Sequence, residues 1–276
     1  MRILIIGAKG MLGIALAEVF LDSKPLLWDR EEIDVTDFKA ANRKLQTAKP
    51  DVIINCAAMT DVDACEDNSK AAHALNGEAP ANLALVANDL GAVLIQFSTS
   101  YIFDGRNQNG YKEDAAPMPL SVYGQSKLQG ERGAAMAKKH YIIRLDRLFG
   151  KAGAGKKSFV DKMLEAARTQ KQLRVIDGEE ACPTYAPDLA ARTRYILENK
   201  VPSGIYHATN AGACTWYGFA QAIFKIAGIG VELIPVSADA FVRKAARPKY
   251  SVLLNTKLPP ARPWQEALGE YLQSSV

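Results

Sequence analysis

Tyr123-Gly124-Gln125-Ser126-Lys127 places a phenol and an ammonium four residues apart, so that on a helix both lie on one face. A phenol with an ordinary pKa near ~10 is a poor proton shuttle at neutral pH, and a cation beside it moves it toward usefulness. Pairs with this spacing are common on helix surfaces. Weight comes from Ser98-Thr99-Ser100, which closes an apolar run 24 residues earlier and sets a hydroxyl where it can hydrogen-bond a substrate carbonyl beside the tyrosine. Together these residues form a proton relay suited to interconverting a ketone and an alcohol.

Such a relay needs a redox partner, and the start of the chain offers a place for one. Gly7-Ala8-Lys9-Gly10-Met11-Leu12-Gly13 follows the apolar run Arg2–Ile6 and opens a segment of helical periodicity. Glycines in that position allow a tight turn, close approach of the backbone to a pyrophosphate, and helix–strand packing. The spacing is G-x-x-G-x-x-G, where many dehydrogenases have G-x-G-x-x-G. Gly7, Lys9, Gly10, Met11, Leu12 and Gly13 are therefore candidate dinucleotide contacts. The next run, Leu26–Trp28, leads into Asp29-Arg30 and then Asp34-Val35-Thr36-Asp37. A carboxylate there accepts the adenosine ribose 2′-OH, whereas an arginine pairs with a 2′-phosphate. Asp29 and Arg30 offer both, so NADPH and NADH stay open. Asp34 and Thr36 also read as capping chemistry for the helix that follows.

The elements that must hold these groups alternate along the chain. Arg2–Ile6, Leu26–Trp28, Val52–Asn55, Val93–Phe97 and Tyr141–Leu145 read as strands, and Met11–Leu21, Asp37–Ala48, Ser69–Asp89 and Val122–Lys139 as helices. Short, wholly apolar strands joined by helices predict a doubly wound, Rossmann-like parallel α/β sheet. Beyond residue 150 the texture loosens, with punctuation at Gly150–Gly155, Pro183–Pro187, Gly212 and Pro259–Pro263. The expected organisation is a dinucleotide-binding domain over 1–150 and a smaller, mainly substrate-binding lobe over 151–276, partly interleaved with it. The basic, glycine-containing loop 151–157 is expected to be mobile.

Composition removes whole classes of function. With 276 residues, 48% hydrophobic and 23% charged, the chain supports a sizeable core and is neither disordered nor a disulfide miniprotein. The net charge of +4 is a small excess of 34 basic over 30 acidic residues spread along the chain, which argues against nucleic acid as a partner. No run reaches the ~18 apolar residues of a membrane span, and the apolar start runs into a glycine loop rather than a cleavage site. A cytoplasmic protein is expected. Cys56, Cys65, Cys182 and Cys214 form no C-x-x-C pair, and the three histidines have no metal-ligand spacing with them, so no metal is expected.

The motifs, taken in order, carry a family resemblance over nearly the whole chain. They are Gly7–Gly13; Asn55-Cys56-Ala57-Ala58-Met59-Thr60-Asp61-Val62-Asp63 with Glu66; Asn76; Ser98-Thr99 before Tyr101-Ile102-Phe103-Asp104-Gly105; Tyr123–Lys127 with Gly130-Glu131; Pro183-Thr184-Tyr185 with Asp188-Leu189-Ala190; and Arg247-Pro248 with Ser251. In these the chain resembles extended short-chain dehydrogenases/reductases, and more narrowly the dTDP-4-dehydrorhamnose reductases. The resemblance implies that Thr99, Tyr123 and Lys127 are catalytic, with Thr99 orienting the carbonyl, Tyr123 delivering a proton, and Lys127 holding the nicotinamide ribose and lowering the tyrosine pKa. It implies cofactor contacts at Cys56, Ala57, Ala58, Thr60 and Asn76, besides Asp29, Arg30, Asp34, Val35, Tyr123 and Lys127. It implies substrate contacts at Thr99, Ser100, Tyr101, Phe103, Arg147, Pro183 and Thr184. The implied reaction is reduction of the C4 ketone of a nucleotide-linked 6-deoxy-4-keto sugar, and a homodimer is compatible with it.

Three departures fall on the substrate side. Arg147 stands where the family usually has a pocket aromatic; Gly178-Glu179-Glu180-Ala181 replaces Asp-Gln-x-Gly, making Glu179 and Glu180 the nearest candidates to balance the Arg147 charge; and Ser100 stands where Asp is frequent. Two other readings accompany the main one: a reductase of a different nucleotide-linked keto sugar, and a non-catalytic regulatory subunit that binds a sugar nucleotide or NADP. Retention of Thr99, Tyr123 and Lys127 argues for catalysis.

Overall fold

The computed structural model describes residues 1–153 and 156–274; Ala154 and Gly155 of the 151–157 loop lie outside the described residues, as do the last two. The apolar runs become strands β1 (Ile3–Ile6), β2 (Leu26–Trp28), β3 (Val52–Asn55), β4 (Val93–Thr99) and β5 (His140–Leu145). Between them lie α1 (Met11–Val19), α2 (Phe38–Ala48), α3 (Val62–Asp67), α4 (Ser69–His73), α5 (Ala79–Leu90) and α6 (Val122–Ala134). The later part holds β6 (Leu148–Phe149), α7 (Phe159–Ala167), β7 (Gln172–Ile176), β8 (Glu180–Ala181), β9 (Thr184–Tyr185), α8 (Ala186–Glu198), β10 (Gly204–His207), β11 (Cys214–Thr215), α9 (Trp216–Ala227), β12 (Glu232–Val236) and α10 (Trp264–Ser274).

Six strands form one parallel sheet in the order β2-β1-β3-β4-β5-β10. Alternation along each strand serves both faces. Ile3 and Ile5 of β1 join a core under α1 and α8, while Leu4 and Ile6 join one under α2 and α5. This is the doubly wound fold. Its connections diverge from β1 toward β2 on one side and β3 on the other, and the crevice at that divergence is where such sheets bind ligands. β10 and α8 come from the later half, so that half completes the sheet before building its own core around Phe149, Val160, Phe219 and Trp264. Among the described residues no helix is long and apolar enough to cross a membrane.

Two helices differ from expectation. Ser69–Asp89 is not one helix: α4 passes through a π turn at Ala74–Glu78 into α5. Tertiary contacts impose the widening there, because the Asn76 carbonyl group of the side chain accepts from Met59 N at 2.8 Å and its amide donates to Met59 O and Ser126 Oγ. The helix expected to reach Lys139 stops at Ala134, and Asn88 of α5 takes over, donating to Met136 O and accepting from Lys138 N. β4 runs two residues past Phe97, carrying Ser98 and Thr99 in the sheet.

Candidate active site

The dinucleotide cradle is built by the turn after β1. Gly7 has φ +78°, and a Cβ on it would meet the backbone of Cys56 and Ala57 in the loop after β3. Any side chain at Gly13 would overlap the Gly7 carbonyl and Ala8 backbone, so α1 packs directly on the turn. Gly10, the N-cap of α1, meets only the Gly7 carbonyl, at 3.2 Å. The backbone of Gly153 seats on this turn, since a Cβ there would fall within 2.6 Å of Lys9 O, Gly10 C and Met11 N; a helix N-terminus of this kind is the geometry that receives a pyrophosphate. The glycine turn at the divergence of β2 and β3 from β1 is the candidate cradle for a nicotinamide dinucleotide.

Gly10→Val tests that assignment without breaking the fold. It is expected to weaken NADPH binding at least about a hundred-fold, about 2.7 kcal/mol, with a native circular dichroism spectrum. Undiminished binding by calorimetry would refute the cradle. Gly13→Ala, by contrast, should fail to fold.

At the end of β2 the two carboxylate oxygens of Asp29 accept from Lys9 N and Arg30 N, both within 2.9 Å, stitching the second strand to the glycine turn. Arg30 is exposed, and the Lys9 ammonium pairs with Glu31 at 2.9 Å. Asp34 accepts from both Thr36 N and Thr36 Oγ1, a local turn, while Asp37 caps α2 by accepting from Ala40 N. Val35 and Leu12 are buried in the two cores. After β3, Asn55 donates to Gln96 Oε1 and accepts from Ala57 N, which fixes the loop bearing Cys56, Ala57 and Ala58. Asn76 has its amide committed to Met59 and Ser126, and so holds the loop that ends at Thr60 against α6.

The relay assembles at the carboxyl ends of β4 and β5. Ser121 caps α6, and Val122 N donates to Glu66 Oε1 of α3 at 2.9 Å, which aims the first turn of α6 at the cleft. Tyr123 and Lys127 lie on this helix as expected. Burial pushes the Tyr123 phenol up, and hydrogen bonding from the Thr99 side chain opposes that shift in part. Burial pushes the Lys127 ammonium down to about 8, Glu131 opposing it. Lys127 Nζ donates to the Phe97 carbonyl at 2.6 Å rather than neutralising the phenol. The expected lowering of the tyrosine pKa by this lysine is thus not what the geometry gives: desolvation dominates, and the phenol stays protonated.

The three hydroxyls of Ser98-Thr99-Ser100 have three fates. Ser98 Oγ is buried without a hydrogen-bond partner. Thr99 turns to Tyr123 and also accepts from Tyr101 N at 3.2 Å. Ser100 Oγ donates to Asp146 Oδ2 at 2.5 Å. The Tyr101 ring meets that of Tyr123 edge-on, 5.6 Å between centroids, and burial raises its own phenol to about 12.

Among the expected sugar contacts, several are structural instead. Phe103 is fully buried, stacked on Tyr111 at 4.2 Å, because the chain turns inward after the 3-10 turn at Ser100–Ile102. Pro183 and Thr184 are buried, and Thr184 Oγ1 donates to Asp146 O at 2.6 Å, tying β9 to the end of β5. Arg147 has φ +41° and is half-buried. Its guanidinium donates to Cys214 O at 2.8 Å and Glu179 O at 2.6 Å and lies 4.0 Å from the centroid of the Trp216 ring. The expected charge partner is corrected: Glu179 offers Arg147 its backbone carbonyl, while its carboxylate pairs with Arg243 at 2.5 Å.

One group at the site, and one pairing between two residues of the quoted motifs, were not read from the sequence. Asp146 was signalled only by being a carboxylate at the end of an apolar strand. The Asp63–Arg247 ion pair, 2.8 Å, joins α3 to the C-terminal segment across 184 residues, a separation no local pattern reveals. Among the described residues no group of three or more His, Cys, Asp or Glu side chains is arranged to hold a metal.

Comparison with known proteins follows the same geometry. The family described as RmlD substrate binding domain matches residues 1–276. A dTDP-4-dehydrorhamnose reductase of Streptomyces griseus is 37% identical over 284 residues, 98% of this chain and 92% of the relative. The spore coat polysaccharide biosynthesis protein SpsK of Bacillus subtilis is 34% identical over 279 residues, 99% of this chain and 97% of the relative. The crystal structure of a dTDP-4-dehydrorhamnose reductase from Bacillus anthracis in complex with NADP is similar with a TM-score of 0.95 at 32% identity, covering 99% of each chain.

Proposed function

The chain belongs to the RmlD substrate binding domain family, and on that premise we propose that it reduces the C4 ketone of a nucleotide-linked 6-deoxy-4-keto sugar with NADPH or NADH, dTDP-4-dehydro-L-rhamnose to dTDP-L-rhamnose being the leading assignment. The observation that carries this reading is the meeting of the Gly7–Gly13 cradle with Thr99, Tyr123 and Lys127 at the carboxyl ends of one sheet. The bound dinucleotide supplies the hydride.

The chain's own residues supply the rest. The N–H groups at the start of α1 bind the pyrophosphate, and the loop Cys56–Thr60 borders it. Asp29 and Arg30 meet the adenosine ribose. Thr99 holds the ketone oxygen beside the Tyr123 hydroxyl, which donates its proton as charge develops there. Lys127 lies one helical turn behind Tyr123, where its ammonium can turn from the Phe97 carbonyl to the nicotinamide ribose. Tyr101 and Arg147 border the sugar, while Ser100, fully buried, stands behind them. Residues 1–150 serve the dinucleotide and 151–276 mainly the substrate, with α8 and β10 of the second part built into the first.

The same proposal puts the protein in the cytoplasm, a reading that its four free cysteines support. A homodimer belongs to the same proposal, supported by exposed Leu85 and Met136 on α5 and just beyond α6, and analytical ultracentrifugation decides it. The assignment is tested by offering the purified protein dTDP-, GDP- and UDP-linked 4-keto sugars and following NAD(P)H absorbance. Consumption with a dTDP-linked 6-deoxy-4-keto sugar is expected. Preference for another nucleotide or sugar would replace the assignment with a different reductase. Tight NADPH binding with no consumption on any sugar would make the protein a regulatory subunit.

A further inference from the structure

Asp146 lies at the end of β5, beside Thr99 at the end of β4, where Thr99 pairs with Leu145. It is almost completely buried. Three donors converge on its carboxylate from three segments. Ser100 Oγ donates to Oδ2 at 2.5 Å, Ser251 Oγ donates to the same oxygen at 2.8 Å, and Arg147 N donates to Oδ1 at 2.7 Å. The backbone on either side is also fixed, since Thr184 Oγ1 donates to Asp146 O and Arg147 takes the left-handed conformation. Placing a carboxylate in such a site is costly unless its oxygens are satisfied. Here they are satisfied by the residue that follows Thr99 and by the C-terminal segment.

The consequences run toward the relay. Ser100 begins the 3-10 turn that carries Tyr101, whose amide donates to Thr99 Oγ1 and whose ring lies edge-on against Tyr123. Moving Ser100 moves both neighbours of the phenol. We propose that Asp146 is a positioning residue: its carboxylate sets, through Ser100, the turn that holds Thr99 and Tyr101 against Tyr123, and through Ser251 makes that setting depend on the C-terminal segment being docked. The inference rests on the reductase reading for its kinetic part and stands independently of it for its geometric part.

The test uses the full chain with tyrosine labelled with carbon-13 at the Cζ position, the Tyr123 and Tyr101 signals being assigned from Y123F and Y101F. D146N and S100A are expected to shift those two signals while leaving most of the other eight of the ten tyrosines in place. On a 4-keto sugar, each variant should lose kcat by about ten- to a hundred-fold, as misplacement of a reacting group costs, with NADPH affinity unchanged within about two-fold. The D146N/S100A double variant should be no worse than D146N alone, because both act through one contact. Swapping the two groups in S100D/D146S should restore part of the loss. Unmoved Tyr123 and Tyr101 signals would overturn the proposal, as would additive losses in the double variant. Wild-type protein inactive on every sugar, yet showing the D146N shifts, would sink the reductase reading alone.

Discussion

Tyr123→Phe is expected to lower turnover by about 10²- to 10⁴-fold, the usual worth of a positioned general acid, while leaving NADPH affinity within a few-fold. The ring stays, and with it the edge-on contact to Tyr101. Only the hydroxyl beside Thr99 is lost. Burial, which raises the phenol pKa, suits this role in the reducing direction, since the group must arrive protonated and give its proton to an oxygen whose charge is developing. Oxidation, which needs the opposite form, should accelerate as pH rises. The measurement is kcat for ketone reduction together with a solvent isotope effect. A variant retaining wild-type kcat under conditions where proton transfer is rate-limiting would show that Tyr123 is not the donor.

The second large effect is on stability. Glu131→Gln is expected to cost about 3–5 kcal/mol, because it leaves the Arg144 guanidinium buried without its counter-charge. Arg144 on β5 donates through Nε and Nη2 to the two oxygens of Glu131 on α6, at 2.9 and 2.8 Å, and both side chains are almost wholly buried. The guanidinium also donates to Glu113 O and lies over the Phe103 ring. Its Nη1 faces His207 Nε2 at 3.4 Å, so His207 is the tautomer whose Nδ1–H donates to Leu254 O. Burial, with the Arg144 charge adding to it, pushes His207 down to about 4. Its contribution is therefore intact above its ordinary value of 6.5 and is lost progressively as pH falls toward 4, where the imidazolium would face a guanidinium. Urea denaturation across that range measures both effects. Glu131 also sits one turn beyond Lys127 and supports its charge, so the variant's folded fraction should show a further lowered lysine pKa. A loss below about 1 kcal/mol would mean that the pair is no more than a surface-like bridge.

The sequence by itself determined the kind of sheet and where the glycine turn, Thr99, Tyr123 and Lys127 stand on it. Five of the six strands of the sheet are legible because each is a short apolar run that can be covered only from both faces. Tyr123 and Lys127 are legible because helix geometry fixes their relation within one turn, and Gly7–Gly13 because a turn between strand and helix admits little else. Local rules of this kind act over a few residues, and the sequence states them directly.

What only the tertiary structure decided depends on groups far apart in the chain. Asn76 opens a π turn because Met59 and Ser126 claim its amide, which no periodicity in 69–89 reveals. Lys127 serves the Phe97 carbonyl, and the phenol rises rather than falls, because desolvation depends on everything packed around the pair. Phe103 turns into the core instead of toward a sugar because Tyr111, Leu128 and Leu253 build a hydrophobic site for it. Arg147 finds backbone carbonyls and an indole in the lobe, and Asp146 gathers hydroxyls from residues 46 positions before it and 105 after it. Burial and long-range polar satisfaction are properties of the assembled chain. Where a buried charge must find its partners across the fold, the residue's type announces the need, and packing alone selects which groups meet it.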